Sequence, residues 1–375
     1  TGCGECEKVC PIEFSNEWDV GTKTRKAIYR PFPQAVPITY CIDKSDRAPC
    51  VQTCPAGTNV QGYVALVKSG RYREAVNLIM QKLPLPGTLG RICPAPCEKE
   101  CRRAEVDSAV AIRDLKRFAA DQVDLSELPL PEIEDRPEKI AVIGSGPAGL
   151  RVAYYMRLKG YAVSIFEALD QAGGMLRVGI PDYRLPPEIL DSEINFILKH
   201  GIEIKTGIRF GSDLSLEGLR QDGFAAIFLG IGAHDAIRMN IPGEEQAAGV
   251  IDALVFLREV NLGKGEVPGK PVIVIGGGNV AIDAARVAKR QGAEKVTVVY
   301  RRSEREMPAY PEELQGAREE GIEFSYLTAP VSIHRQGGRV TGFECIRTEL
   351  GSPDASGRRR PVPVEGSEFV MACDA

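Results

Sequence analysis

Histidine is almost missing. His200, His234 and His334 are the only three in 375 residues, each isolated in sequence, so no histidine metal site or histidine-activated nucleophile is indicated and none is assigned a role. Long apolar runs are absent too. No stretch approaches the roughly 18 apolar residues that span a bilayer, and the N-terminus carries no signal-peptide pattern; we expect a cytoplasmic protein with no membrane span. Charge of one sign is also lacking, since 47 Lys and Arg stand against 51 Asp and Glu, a formal net charge of −4. Neither nucleic acid nor an anionic membrane surface is therefore an expected partner. The length suits two or three domains, each with its own core.

Cysteine is plentiful by contrast, and unevenly placed. Nine of the 11 fall before residue 102, in short-spaced groups that suit a metal better than a disulfide framework. Cys3, Cys6 and Cys10, followed by Pro11, match the last three ligands and the proline of C-x2-C-x2-C-x3-C-P, the bacterial 4Fe-4S motif. In two-cluster ferredoxins the fourth cysteine serves the other cluster, so Cys10 need not share one with Cys3 and Cys6. A zinc knuckle is the competing reading. Cys41, Cys50, Cys54, Cys93, Cys97 and Cys101 form a second group of expected metal ligands. Six thiols fit one cluster with thiols to spare, or two clusters with a non-cysteine ligand, while buried core cysteines are the plain alternative. Cys345 and Cys373 stand alone and read as core thiols. Thr1 in place of a start methionine, and an apolar last stretch, lead us to expect a piece of a longer protein.

Along the chain, residues 1–40 read as a loop-rich, partial ferredoxin-like segment. Residues 41–125 read as a small α-helical domain with helical patterns at 60–68, 72–82 and 110–122. Prolines and acids without a periodic face make 126–138 a linker. Beyond it the pattern changes to strands alternating with helices, the mark of α/β domains with covered parallel sheets. One strand–helix–strand unit runs over 139–166 and another over 271–299, giving two Rossmann-like domains, 139–267 and 268–375.

Both units carry a glycine fingerprint directly between strand and helix. In the first, Gly144-Ser-Gly146-Pro-Ala-Gly149, the glycines serve a tight turn, close backbone approach to a pyrophosphate and close helix–strand packing. Glu167, ending the next strand, would accept hydrogen bonds from ribose hydroxyls. The second, Gly276-Gly-Gly278-Asn279-Val-Ala281, has alanine as its third small residue, and its second strand ends in Tyr300-Arg301-Arg302 where an NAD site has an acid. Two guanidinium groups there would pair with a 2′-phosphate, which favours NADPH over NADH; a solvated basic pair neutralised by acids such as Glu304 is the alternative. Asp283, early in the helix after Gly278, reads as a cap, a cofactor contact or a structural residue. Arg184 reads equally as a surface ion pair, and Pro308 and Tyr310 as shaping the adenine side. Two dinucleotide folds in one chain suggest hydride transfer between nicotinamide and flavin. The second α/β region contains no C-x-x-C pair, which argues against disulfide reduction within it.

Several strings are specific to a family. Cys50-Val-Gln-Thr-Cys54-Pro, Gly90-Arg-Ile-Cys93-Pro, Gly173-Gly-Met-Leu176, Gly179-Ile-Pro-Asp-Tyr-Arg-Leu-Pro186, Ile241-Pro-Gly-Glu244 and Tyr300-Arg-Arg-Ser-Glu-Arg-Glu-Met-Pro308 resemble the small subunit of NADPH-dependent glutamate synthase and the N-terminal part of dihydropyrimidine dehydrogenase, over residues 41–375. The resemblance implies FAD at Gly144, Gly146, Gly149, Glu167 and the segment Gly174, Met175 and Leu176, with NADPH at Gly276, Gly278, Asn279, Arg301 and Arg302. It also implies that the FAD domain resumes after the nicotinamide domain, and that the second cysteine group holds 4Fe-4S clusters. The first forty residues instead resemble the heterodisulfide reductase A family, whose members are flavin and iron-sulfur electron hubs. These likenesses imply an oxidoreductase that exchanges electrons between NAD(P)H and a partner protein or ferredoxin. A zinc-bearing interaction module with a vestigial nucleotide domain, or a disulfide reductase on the same fold, are the other readings.

Overall fold

The computed structural model describes residues 4–15, 22–30, 40–42, 47–245, 247–266, 268–354 and 357–375. The chain divides into two units, Thr1–Lys82 with Pro94–Leu115 and Leu83–Cys93 with Lys116–Ala375. No helix among the described residues is long and apolar enough to cross a membrane.

The smaller unit opens with the short helix α1 (Glu5–Val9). Two minimal antiparallel pairs follow, β1 (Glu13–Ser15) with β2 (Thr24–Lys26), and β3 (Ile28–Tyr29) with β4 (Cys41–Ile42). The single turn α2 (Pro49–Gln52) begins on proline, whose absent N–H has no partner to lose at that position. A helical hairpin of α3 (Val60–Lys68) and α4 (Tyr72–Met80) makes the core. Asn59 starts α3 by accepting from Gly62 N at 3.0 Å. Val60, Tyr63 and Val67 on one helix and Ala75, Val76, Ile79 and Met80 on the other are buried at helical spacing, each large side chain contributing about 1.5–3 kcal/mol. Helix α5 (Pro86–Ile92) belongs to the larger unit, and α6 (Pro96–Lys99) to the smaller. Tyr63 Oη donates to the Ile112 carbonyl, 3.1 Å away, at the start of α7 (Ile112–Asp121), which carries the chain into the larger unit.

In the larger unit the stretch expected as a linker is anchored. Leu128 is buried, Arg136 N donates to the Gly160 carbonyl, and Asp135 pairs with Arg157 at 2.7 Å. Then come β5 (Lys139–Ile143), α8 (Pro147–Leu158), β6 (Ala162–Phe166), α9 (Met175–Val178), α10 (Pro187–Leu198), β7 (Glu203–Lys205), α11 (Leu216–Gln221) and β8 (Phe224–Leu229). The strands form a parallel sheet in the order β7-β6-β5-β8. After α12 (Ala253–Asn261), the strands β9 (Pro271–Ile275), β10 (Lys295–Tyr300) and β11 (Glu323–Tyr326), with α13 (Asn279–Arg290) and α14 (Pro311–Glu319) between them, form a second parallel sheet ordered β11-β10-β9. Residues Ile140 to Ile143 of β5 and Val296 to Tyr300 of β10 are all buried, apolar but for Thr297, as in a strand covered on both faces.

The end of the chain departs from the expected α/β pattern. Strands β12 (Thr328–Gln336), β13 (Arg339–Pro353), β14 (Arg359–Pro363) and β15 (Phe369–Ala372) pair antiparallel, with β12, β14 and β15 all on β13. Val340, Phe343 and Cys345 of β13 pack with Ile333 and Cys373 in its core.

Candidate cofactor cradles and cysteine sites

At the first cradle, β5 delivers the chain to Gly144, whose φ of 96° lies in the left-handed region that favours glycine. A Cβ there would strike the Gly230 carbonyl beyond β8, and one on Gly149 would run into the Gly144 carbonyl. These two glycines are explained by the protein itself. Gly146 is not: its φ is −67°, which any residue adopts, and a Cβ there would meet nothing within 4 Å. It caps the N-terminus of α8, where free N–H groups and the helix dipole favour an anion, so open space before Gly146 fits a pyrophosphate. Gly174 closes one side, since a Cβ on it would lie 2.8 Å from Gly146 Cα. Met175 and Leu176 follow as the first residues of α9, Leu176 buried.

Glu167 is 6% exposed and held by protein donors. Its Oε2 accepts from Ser145 N at 2.8 Å and Ser145 Oγ at 2.6 Å, and its Oε1 from Leu169 N at 2.8 Å. A carboxylate offers about four acceptor positions, so Oε1 keeps one for a ribose hydroxyl. Sequence reasoning passed over Ser145. Fully buried, its hydroxyl also accepts from Gly173 N at 3.1 Å and so ties the glycine turn to the 173–176 segment.

The second cradle repeats the scheme. Gly276 has φ 139°, a Cβ on Gly277 would lie 2.5 Å from the Tyr300 ring, and a Cβ on Gly278, the cap of α13, would meet nothing within 4 Å. Asn279 Oδ1 accepts from Tyr310 N at 3.0 Å, and the Gly277 carbonyl from Ala309 N at 3.1 Å, fastening the 308–310 segment beside the glycine loop. The arginine pair separates. Arg301 is exposed, whereas Arg302 is 5% exposed, donating Nε to the Arg359 carbonyl at 2.7 Å and pairing with Asp354 at 2.6 Å. Arg302 thus braces the antiparallel sheet, and the expected two-guanidinium site reduces to Arg301. Asp283 is 3% exposed and pairs with Arg184 at 2.6 Å, so Arg184 is no surface ion pair. Burial pushes Asp283 up to about 6 against the pull of Arg184.

Cys3 lies outside the described residues. Cys6, on α1, is exposed, and Cys10, just after it, is buried. Cys41 in β4 is exposed. Cys50 sits on α2, Cys97 on α6, and Cys101 just beyond it, with α2 packed on α6. Burial pushes the Cys50 thiol up, and Cys101 and Cys54 push it further, because neighbouring thiolate charges repel. At Cys54 burial pushes upward too, but hydrogen bonds from the Thr58 hydroxyl and the backbone N–H groups of Thr58, Ala56 and Gly57 outweigh it and hold the thiol below its usual range. N–H donors around a thiolate are what an iron-sulfur ligand uses, so this donor set fits a cluster. Cys93 caps the C-terminus of α5, on the larger unit. Among the described residues no three Cys, His, Asp or Glu side chains are grouped closely enough to hold a single metal ion. Cys345 and Cys373 are pushed up by burial to about 12 and about 11, the core thiols expected.

Residues 34–127 match the family described as dihydropyrimidine dehydrogenase domain II, 4Fe-4S cluster, and residues 138–354 match pyridine nucleotide-disulphide oxidoreductase. The NADPH-Fe(3+) oxidoreductase subunit beta of Geobacter sulfurreducens is 46% identical over 338 residues, 87% of this chain and 50% of that protein. The glutamate synthase [NADPH] small chain of Escherichia coli is 36% identical over 342 residues, 87% of this chain and 72% of that one. The chain therefore spans about half the length of the Geobacter relative. Among solved structures, Mycobacterium tuberculosis FprA in complex with NADPH superposes with TM-score 0.56 at 21% identity, over 64% of this chain and 69% of that one, a likeness of fold. The paired cradles, the cysteine-bearing helical unit and these matches place the chain in the pyridine nucleotide-disulphide oxidoreductase family, as a glutamate synthase small chain-like FAD oxidoreductase with an N-terminal 4Fe-4S domain.

Proposed function

We propose that this chain passes electrons between NADPH and a partner protein, an oxidoreductase subunit or a ferredoxin, by way of FAD and 4Fe-4S clusters. The observation that carries the reading is the matched pair Gly146 and Gly278. Neither needs to be glycine for its backbone conformation or its protein neighbours, and each lies open at a helix N-terminus. In this reading residues 139–267 form the FAD domain, 268–375 the nicotinamide domain and 41–125 the iron-sulfur domain, with 1–40 adding a further ferredoxin-like segment.

The N–H groups at the start of α8 hold the FAD pyrophosphate, and Glu167 Oε1 accepts from its ribose. Those at the start of α13 hold the pyrophosphate of NADPH, and Arg301 pairs with the 2′-phosphate, which a carboxylate at that strand end would repel. Cys3, Cys6, Cys10, Cys41, Cys50, Cys54, Cys93, Cys97 and Cys101 supply thiolates to the clusters. FAD, when bound, supplies the conversion between two-electron and one-electron transfer. Names of relatives support a subunit's role, since the Geobacter and Escherichia proteins are a subunit beta and a small chain. The test is anaerobic: metal analysis and visible spectra of the full-length protein before and after NADPH, then NADH. Iron with flavin bleaching that favours NADPH is the expected result; zinc without flavin, or no response to either nucleotide, overturns the reading.

A further inference from the structure

The segment after the first cradle reaches the second. It starts at Gly173 and Gly174, bound to Ser145 and packed on Gly146. It passes along α9, where Asn261 Nδ2 at the end of α12 donates to the carbonyls of Arg177 at 3.1 Å and Ile180 at 2.9 Å. It then presents Tyr183 and Arg184 to α13. Arg184 Nη1 donates to Asp283 Oδ2 at 2.6 Å, and its Nε lies 3.2 Å from Glu313 Oε1 on α14. Tyr183 Oη donates to Asp283 Oδ1 at 3.4 Å, and its ring lies 4.4 Å from the Arg286 guanidinium and 3.9 Å from that of Arg290. Arg286 in turn pairs with Glu313 and Glu320, and Arg290 with Glu320.

This network is costly as a source of stability alone. The Arg184 side chain is 10% exposed and that of Asp283 4%, and charges so far from water return little more than their desolvation cost compared with apolar packing. What a fork-shaped guanidinium held by two carboxylates does give is one fixed geometry. Asp283 stands little more than a turn beyond the cap Gly278, so fixing Asp283 fixes the helix end where NADPH is held.

We propose that Arg184 and Asp283 are positioning residues for hydride transfer: they hold the α13 cradle at a set distance from the flavin cradle, through the strap that runs from Gly174 to Arg184. The inference rests on the NADPH-to-FAD relay proposed above. Both side chains are engaged by protein partners, so their removal should change the approach of the two cofactors and leave their binding intact.

The experiment is stopped-flow reduction of the flavin by NADPH in the full-length, cofactor-loaded protein, comparing wild type with Arg184→Met, Asp283→Asn and the double variant. The saturating rate falls about 10- to 100-fold in each single variant, the double variant is no slower than the worse single one, and the dissociation constant for NADPH moves less than about threefold. Rates within about twofold of wild type, a loss carried by the dissociation constant, or single effects that multiply in the double variant each overturn the positioning role. If those variants do not retain FAD, Arg184→Lys and Tyr183→Phe decide by the same criteria. A wild type that NADPH does not reduce overturns the relay and the positioning role with it, whereas a reduced wild type beside equally fast variants overturns the positioning role alone.

Discussion

The two glycine cradles share a plan and differ at its two ends. In the first, the third glycine lets α8 settle so close that a Cβ on Gly149 has no room; in the second, Ala281 fills the corresponding place and α13 stands far enough off to admit a methyl group. The strand ends differ more. After β6 stands the buried Glu167, hydrogen-bonded to the turn itself, while after β10 stand an exposed Arg301 and a buried, paired Arg302. In the proposed reading the glycine turn sets where a pyrophosphate sits, and the residue beyond the second strand sets which nucleotide is taken. Fingerprint and strand-end residue are separate devices that meet at the same edge of the parallel sheet, one after each of its two neighbouring strands.

That separation makes mutations predictable, the severest first. Gly149→Ala forces a methyl group into the Gly144 carbonyl and should cost about 1–3 kcal/mol in helix–strand packing, with FAD absent from the purified protein; Ala281→Gly should change thermal stability and NADPH binding little. Gly146→Ala should fold with wild-type melting behaviour yet retain less than about a tenth of its FAD, since only the ligand competes for that space; flavin content and a melting curve check both halves. Arg301→Ala should raise the KM for NADPH about 10- to 100-fold, the worth of a charge-assisted contact, and leave that for NADH nearly unchanged. Arg302→Ala should do the reverse, lowering stability by removing the buried ion pair to Asp354 and the hydrogen bond to the Arg359 carbonyl while sparing NADPH affinity.

The smallest effect lies outside both cradles. Glu193 on α10, 2% exposed, accepts from Gly87 N and from Thr88 N at the start of α5. Burial pushes it up to about 7, against those donors and Arg91. A carboxyl raised in the folded state binds more protons there than in the unfolded chain, so stability is greatest below the usual carboxylate range and declines as pH rises through about 7. Melting temperatures of Glu193→Gln measured from pH 4.5 to 7.5 should lack that decline, with NADPH kinetics unaltered.

Much of this frame was legible in the sequence because it is local. The strands at 139–143, 162–166 and 271–275 and the helix ending at Arg290 stand where apolar runs and glycine turns placed them. Helix α5 was not foreseen, since Pro86, Gly87, Thr88 and Gly90 are poor helix formers; packing overrides propensity there, with a Cβ on Gly90 falling 2.6 Å from Arg117 Cα. The antiparallel sheet was missed because its strands pair across turns that the alternation does not announce. Partners far apart in sequence were out of reach as well. Nothing local to Arg302 names Asp354, nothing local to Arg184 names Asp283, and nothing local to Glu193 names Gly87.

The claim of two cradles serving two nucleotides is tested most directly by Gly278→Ala in the full-length protein. Purified anaerobically, it should carry FAD and iron at wild-type levels, bleach fully with dithionite, and bleach with NADPH at least about 100 times more slowly than wild type. Loss of FAD from this variant, or bleaching by NADPH at the wild-type rate, would contradict the account.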